Sequence, residues 1–112
     1  MNIPPAALLA AAILSEVMAT TALKASDGFT RLGPSLLAGL GYCISFYLLA
    51  QVMKSIPTGV VYAVWSGLGI VLISVVGWAV YGEKLDTAAV VGMAMIVAGV
   101  GVIQLFSKTA GH

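Results

Sequence analysis

Charge is what this sequence has least of. Only 8% of its 112 residues are Asp, Glu, Lys or Arg, against roughly 25% in ordinary soluble domains. A soluble domain this small has a large surface for its volume, and nine charged side chains cannot cover it. The net charge is +1, so there is no basic patch to bind nucleic acid. The one cysteine, Cys43, excludes an intrachain disulfide and a cysteine-cluster metal site. These absences exclude an ordinary soluble enzyme, a disordered chain and a nucleic-acid-binding domain, and nothing in the sequence calls for a cofactor or a metal.

What is there is apolar: 61% of residues are hydrophobic and mean hydropathy is +1.09. Apart from Glu16, the charges fall into four short clusters: Lys24/Asp27/Arg31, Lys54, Glu83/Lys84/Asp86 and Lys108. Between them lie runs long enough to span a bilayer, which takes about 20 residues. The spacing predicts an all-α membrane protein with helices over 5–23, 34–53, 57–81 and 87–106, forming a single transmembrane domain over residues 1–112. Pro5, Pro34 and Pro57 stand at expected helix starts, where a missing N–H costs nothing. Asp86 can cap the fourth helix, and Ser26-Asp27-Gly28 is turn chemistry. Because the runs are continuously apolar rather than alternating, a barrel is excluded. A cleaved signal peptide is a poor fit to helix 1, because no basic residue precedes it and its apolar core carries an acid.

That acid is Glu16, roughly 16 Å along the helix from its start. An ionised carboxylate at such depth costs from about 3 to over 10 kcal/mol. It must be protonated, pair with a cation or face a wet cavity. Every Lys and Arg sits at a membrane edge, so its counter-charge has to arrive as a proton or a cationic ligand. Burial favours the neutral form of an acid, and an acid poised between its two forms can carry protons.

Helical spacing puts Leu9, Ala12, Ile13, Ala19, Thr20 and Leu23 on the Glu16 face. These small or flexible groups leave space beside the acid. Helix 2 offers Tyr42, Ser45 and Phe46. Helix 3 offers Tyr62 and Trp65 on one face, with Ser66 beside them. Aromatic faces near an unpaired carboxylate suit an organic cation, since cation–π attraction reaches about 2 kcal/mol when desolvated. Trp78 and Tyr81 fit an interfacial belt, whereas Trp65 lies well inside helix 3.

At 25 residues helix 3 exceeds a hydrocarbon core of about 30 Å. Gly67 and Gly69 near its middle mark an expected hinge or, equally, a place of close helix packing. Helix 4 is rich in small residues. Ala88, Gly92 and Gly99 lie near one face and are the expected dimer interface, packing within the chain being the alternative. Cys43 and the methionines read as packing.

With the N-terminus inside, two basic residues lie inside and three outside; reversal gives the converse. The positive-inside rule barely chooses, so two copies in opposite orientation can form the inverted-repeat plan of many secondary transporters. Four helices enclose little space, and a cavity for an organic cation calls for at least a dimer.

The chain resembles, from end to end, the small multidrug resistance family of bacterial four-helix transporters. The resemblance is carried by Glu16-Val17, Thr20-Thr21 and Leu23-Lys24, by Gly28-Phe29-Thr30-Arg31-Leu32, and by Tyr42, Ser45-Phe46 and Leu48-Leu49-Ala50-Gln51. Its most specific part is Ile56-Pro57-Thr58-Gly59 with Tyr62-Ala63 and Trp65-Ser66-Gly67. It implies an antiparallel, dual-topology homodimer in the bacterial inner membrane that exports cationic aromatic or quaternary ammonium compounds in exchange for protons. It implies that Glu16 binds proton and substrate competitively, that Tyr42, Tyr62 and Trp65 line the site, and that Ser45 and Phe46 are near it. Two positions depart from the pattern: Ala19 stands where the multidrug branch usually has glycine, and Val61 where it has alanine. Both add methyl groups near the expected cavity. The guanidinium-exporting branch usually has tryptophan near position 19, which Ala19 does not match. The alternatives left are a guanidinium or polyamine exporter of the same family, a structural membrane subunit with Glu16 as interhelical glue, and a rotor-ring subunit, which the aromatic surroundings of Glu16 disfavour.

Overall fold

The computed structural model describes residues 3–109 and consists of four helices: α1 (Pro5–Ala25), α2 (Leu32–Val52), α3 (Thr58–Tyr81) and α4 (Thr87–Phe106). All four are long and apolar enough to cross a membrane, and there is no strand among the described residues. Hydrocarbon offers no partner to a backbone polar group, so helices that satisfy their own hydrogen bonds are the form these runs take.

The ends differ from the sequence expectation by a residue or two, for local reasons. α1 runs on to Ala25, because the Ser26 N–H still finds the Ala22 carbonyl at 2.9 Å. α2 starts two residues before Pro34, which occupies the first turn, where backbone N–H groups have no intrahelical partner anyway. Pro57 is extended (φ −54°, ψ 140°) and caps α3 from outside. The Asp86 carboxylate accepts the Ala89 N–H at 2.9 Å and caps α4. Gly82, with φ +66°, ends α3 in the left-handed conformation that glycine adopts without steric cost. The α1–α2 turn holds Asp27, Gly28 and Phe29 all at positive φ. It is pinned by the buried Ser26, whose hydroxyl donates to the Leu23 carbonyl at 2.7 Å and accepts the Phe29 N–H at 3.1 Å.

The helices lie in one row, α2–α1–α3–α4, each touching its neighbours in that order. The backbone slab measures 43 × 39 × 17 Å. Its core is a seam of Leu9, Ala12, Ile13 and Val17 from α1, Leu49 and Val52 from α2, Val61 and Val64 from α3, and Val100 from α4. Water does not drive helices together inside a bilayer; close van der Waals contact and interhelical hydrogen bonds do. Both occur here. Gly41 lets α2 approach α1, since a Cβ added there would stand 2.8 Å from the Ala19 Cβ. The buried Ser45 hydroxyl donates to the Ala12 carbonyl at 2.9 Å. At Gly67 α3 meets Val100 and Ile96 of α4, with no room for a side chain. α3 itself is one unbroken helix through Gly67 and Gly69.

α4 is the outlier. It packs chiefly on α3, and Val100 is its one buried residue. Added Cβ atoms at Gly92 and Gly99 would meet nothing within 4 Å. The small-residue face of α4 is therefore open, not used within the chain.

Candidate functional site

Glu16 sits just past the middle of α1. The Thr20 hydroxyl, one turn along, donates to Glu16 Oε1 at 2.8 Å. Thr20 Oγ1 also lies 2.7 Å from the Tyr42 hydroxyl of α2. A threonine has one proton to give, and it goes to Glu16, so Tyr42 donates to Thr20. The chain Tyr42 → Thr20 → Glu16 thus orients the carboxylate from α2 across α1. Glu16 Oε2 faces α3, where it lies 3.5 Å from the Cβ position of Gly69. The acid thus lies beside α3 at Gly69.

A recess of about 250 Å³ opens beside the acid, lined by Glu16 with Tyr62, Trp65, Ser66, Gly69, Ile70 and Ile73 of α3. The Tyr62 and Trp65 rings meet edge to face, with centroids 5.4 Å apart, an arrangement that aromatic quadrupoles favour. Tyr62 is 59% exposed, so the recess opens on the face of the slab. The single ion pair among the described residues is Lys24–Glu83 at 3.1 Å. Lys24 lies eight positions along α1 from Glu16, about 12 Å of helical rise. Among the described residues no cation pairs with the acid.

The structure brings Glu16, Tyr62 and Trp65 to one recess. Tyr42 stands behind it, joined through Thr20, and stacks on Phe46 at 6.1 Å between centroids. Phe46 itself points outward from the row. Leu9, Ala12 and Ile13 are buried in the seam between helices, not in the recess. Ser45 is buried with its hydroxyl committed to Ala12. The two residues that depart from the family pattern also turn inward. The Ala19 methyl rests on Gly41, and Val61 is fully buried in the core. Neither methyl lines the recess.

Ile70 and Ile73 line the recess but were not singled out from the sequence. Positions 62, 65, 66, 69, 70 and 73 follow one helical stripe, so extending the Tyr62–Trp65 spacing by two turns finds them. A larger cavity, about 580 Å³, lies elsewhere, between α3 and α4 near the charged end. Its wall is mostly apolar, with Trp78, Val90 and Met93, and Glu83 and Lys84 stand at its edge. It contains none of the residues around Glu16.

The Small Multidrug Resistance protein family matches residues 6–96. The chain belongs to this family. It is 55% identical to the quaternary ammonium compound-resistance protein QacE of Escherichia coli, over 93% of this chain and 94% of that one. It is 52% identical to the multidrug transporter EmrE of E. coli K12, over 96% and 98% of the two chains. It is 57% identical to a multidrug transporter of Pseudomonas aeruginosa, over 93% and 94%. Its four apolar spans make it a multi-pass membrane protein, and its family and bacterial relatives place it in the bacterial inner membrane.

Proposed function

We propose that this protein exports cationic aromatic and quaternary ammonium compounds in exchange for protons, working as an antiparallel homodimer with Glu16 as the site shared by both ligands. The observation that carries the reading is the Glu16 recess: a carboxylate with no paired cation among the described residues, beside an exposed tyrosine–tryptophan pair. A delocalised or quaternary cation gains from both, by charge and by cation–π contact. A proton neutralises the same carboxylate. One acid cannot hold both, so each ligand weakens the other by the same factor. Drug bound from the cytoplasm releases protons; protons from outside release drug. The names of the relatives, which include multidrug transporters and a quaternary ammonium resistance protein, favour this substrate class over guanidinium or polyamines.

Size and shape support a dimer. A drug-sized ligand takes a pocket of about 300–1,000 Å³, and the recess of one chain holds about 250 Å³ on an open face. Two recesses facing each other reach that range. The open Gly92/Gly99 face of α4 supplies a contact surface for the second copy, and the near-balanced charges at the two ends permit opposite insertion. Rocking of the two copies then exposes the shared site alternately.

The reading is tested by binding of tetraphenylphosphonium to purified protein across pH, with released protons counted. The expected result is affinity that rises with pH, proton release on binding, and loss of both in Glu16→Gln. Binding with no proton release in the wild type refutes shared occupancy. An assembled wild type that ignores the cation at every pH refutes the substrate class.

A further inference from the structure

A second cavity, of about 150 Å³, lies between α1 and α3 on the charged side of Glu16. Thr20 and Thr21 line it from α1, and Ile73, Val76 and Gly77 from α3. Lys24, Tyr81 and Glu83 stand at its outer end. Ile73 is shared with the drug recess, and Thr20 reaches Glu16 Oε1 directly at 2.8 Å. The acid therefore stands between two cavities, one walled by aromatics and one by hydroxyls. The second is too small for a drug-sized ligand. It is roomy enough for several waters and has polar partners at both ends.

An ion pair and a hydrogen bond cross its outer end. Lys24 Nζ and Glu83 Oε2 are 3.1 Å apart, and the Tyr81 hydroxyl donates to the Thr21 carbonyl at 2.9 Å. Glu83 reaches inward because Gly77 has no side chain: a Cβ there would collide with Glu83 Oε1. The charged and titratable groups around the cavity are Lys24 from α1, Tyr81 from the end of α3 and Glu83 just after it, with Glu16 and Tyr42 beyond Thr20.

Resting on the exchange reading above, we propose that this cavity is a proton passage to Glu16 separate from the drug recess, with Thr20 as its relay and the Lys24–Glu83 pair as its closure. A hydrated proton in the cavity adds to a free lone pair of Thr20 Oγ1. The proton already on Thr20 moves along its hydrogen bond to Glu16 Oε1. One O–H bond forms and one breaks at Oγ1, one forms at the carboxylate, and water is left behind. Deprotonation runs in reverse. Tyr42, donating to the same Oγ1, holds the hydroxyl aimed at the acid. The closure is needed because a passage open at all times would leak protons without drug.

The experiment compares two rates in proteoliposomes: exchange of labelled for unlabelled tetraphenylphosphonium at equal pH, and uptake driven by a pH gradient. Val76→Phe fills the passage and touches neither Glu16 nor the drug recess. It is expected to keep exchange and to slow driven uptake about tenfold or more, in the range of a lost proton-transfer group. Gly77→Ala displaces Glu83 and is expected to give proton entry without drug, read by an internal pH dye. Val76→Phe with both rates unchanged, or with both reduced alike, overturns the passage. If Val76→Phe does not assemble, Thr20 decides. The ratio of driven uptake to exchange should fall in Thr20→Val and recover in Thr20→Ser, and an equal ratio in the two overturns the relay. Failure of the wild type to exchange the cation overturns the exporter reading instead. The drug-free leak of Gly77→Ala still reports on the passage.

Discussion

Replacing Gly41 by alanine tests how closely α1 and α2 must meet for the site to form. The new Cβ would stand 2.8 Å from the Ala19 Cβ, and 3.2 Å from both the Ala19 Cα and the Ser15 carbonyl. Carbon atoms in contact prefer about 3.5–4.0 Å, so the helices must separate by about 0.7–1.2 Å. Two of the obstructing atoms are backbone, and no rotamer change relieves them. Overpacking of this kind costs about 1–3 kcal/mol. The separation also falls on the neighbouring pair. Thr20 and Tyr42 follow Ala19 and Gly41 in the chain, and their oxygens are 2.7 Å apart. Lengthened to about 3.4–3.9 Å, that contact is no longer a hydrogen bond. Gly41→Ala is therefore expected to lower thermal stability in detergent and to weaken tetraphenylphosphonium binding. Ala19→Gly, nearly silent alone, should restore both in the double variant, with a coupling energy of about 1 kcal/mol or more. A neutral Gly41→Ala, or a double variant no better than the single, refutes the argument that the Ala19 methyl is accommodated by Gly41.

Other expectations rest on single contacts. Glu16→Gln should weaken cation binding about fivefold to a thousandfold. The recess radius of about 4 Å places a bound cation at a distance where the attraction is about 1 kcal/mol in water and about 4 at an effective dielectric of 20. Equal affinity in titration calorimetry would refute direct pairing. Gly67→Ala should loosen α4, which packs chiefly on α3, and Val100→Ala should rescue it; melting curves of the two variants test this. Gly92→Leu and Gly99→Leu add side chains into open space, so helix content should stay while cross-linked dimer is lost. Unchanged cross-linking would move the dimer contact off this face of α4.

The sequence by itself determined the spans, the membrane setting, the family and the exceptional acid. Each follows from where charges are and are not. Lipid forbids scattered charge and unpaired backbone, so nine charged residues are enough to mark four helices, and an acid inside one of them stands out. Sequence also placed Tyr62 and Trp65 together, because residues three apart on a helix share a face whatever surrounds them. The tertiary structure decided what no helical period contains, namely which face meets which neighbour. Leu9, Ala12, Ile13 and Ala19 share a face with Glu16, yet they pack into the seam with the other helices while the acid turns to the recess of α3. Thr20 was legible as a neighbour of the acid but not as its donor, because the proton's direction depends on Tyr42, 22 residues away. Gly67 and Gly69 look alike in the chain, but one admits α4 and the other lies against the carboxylate. In a bilayer every helix is apolar all round, so hydrophobicity cannot assign these faces. Only the close fit of side chains between helices does.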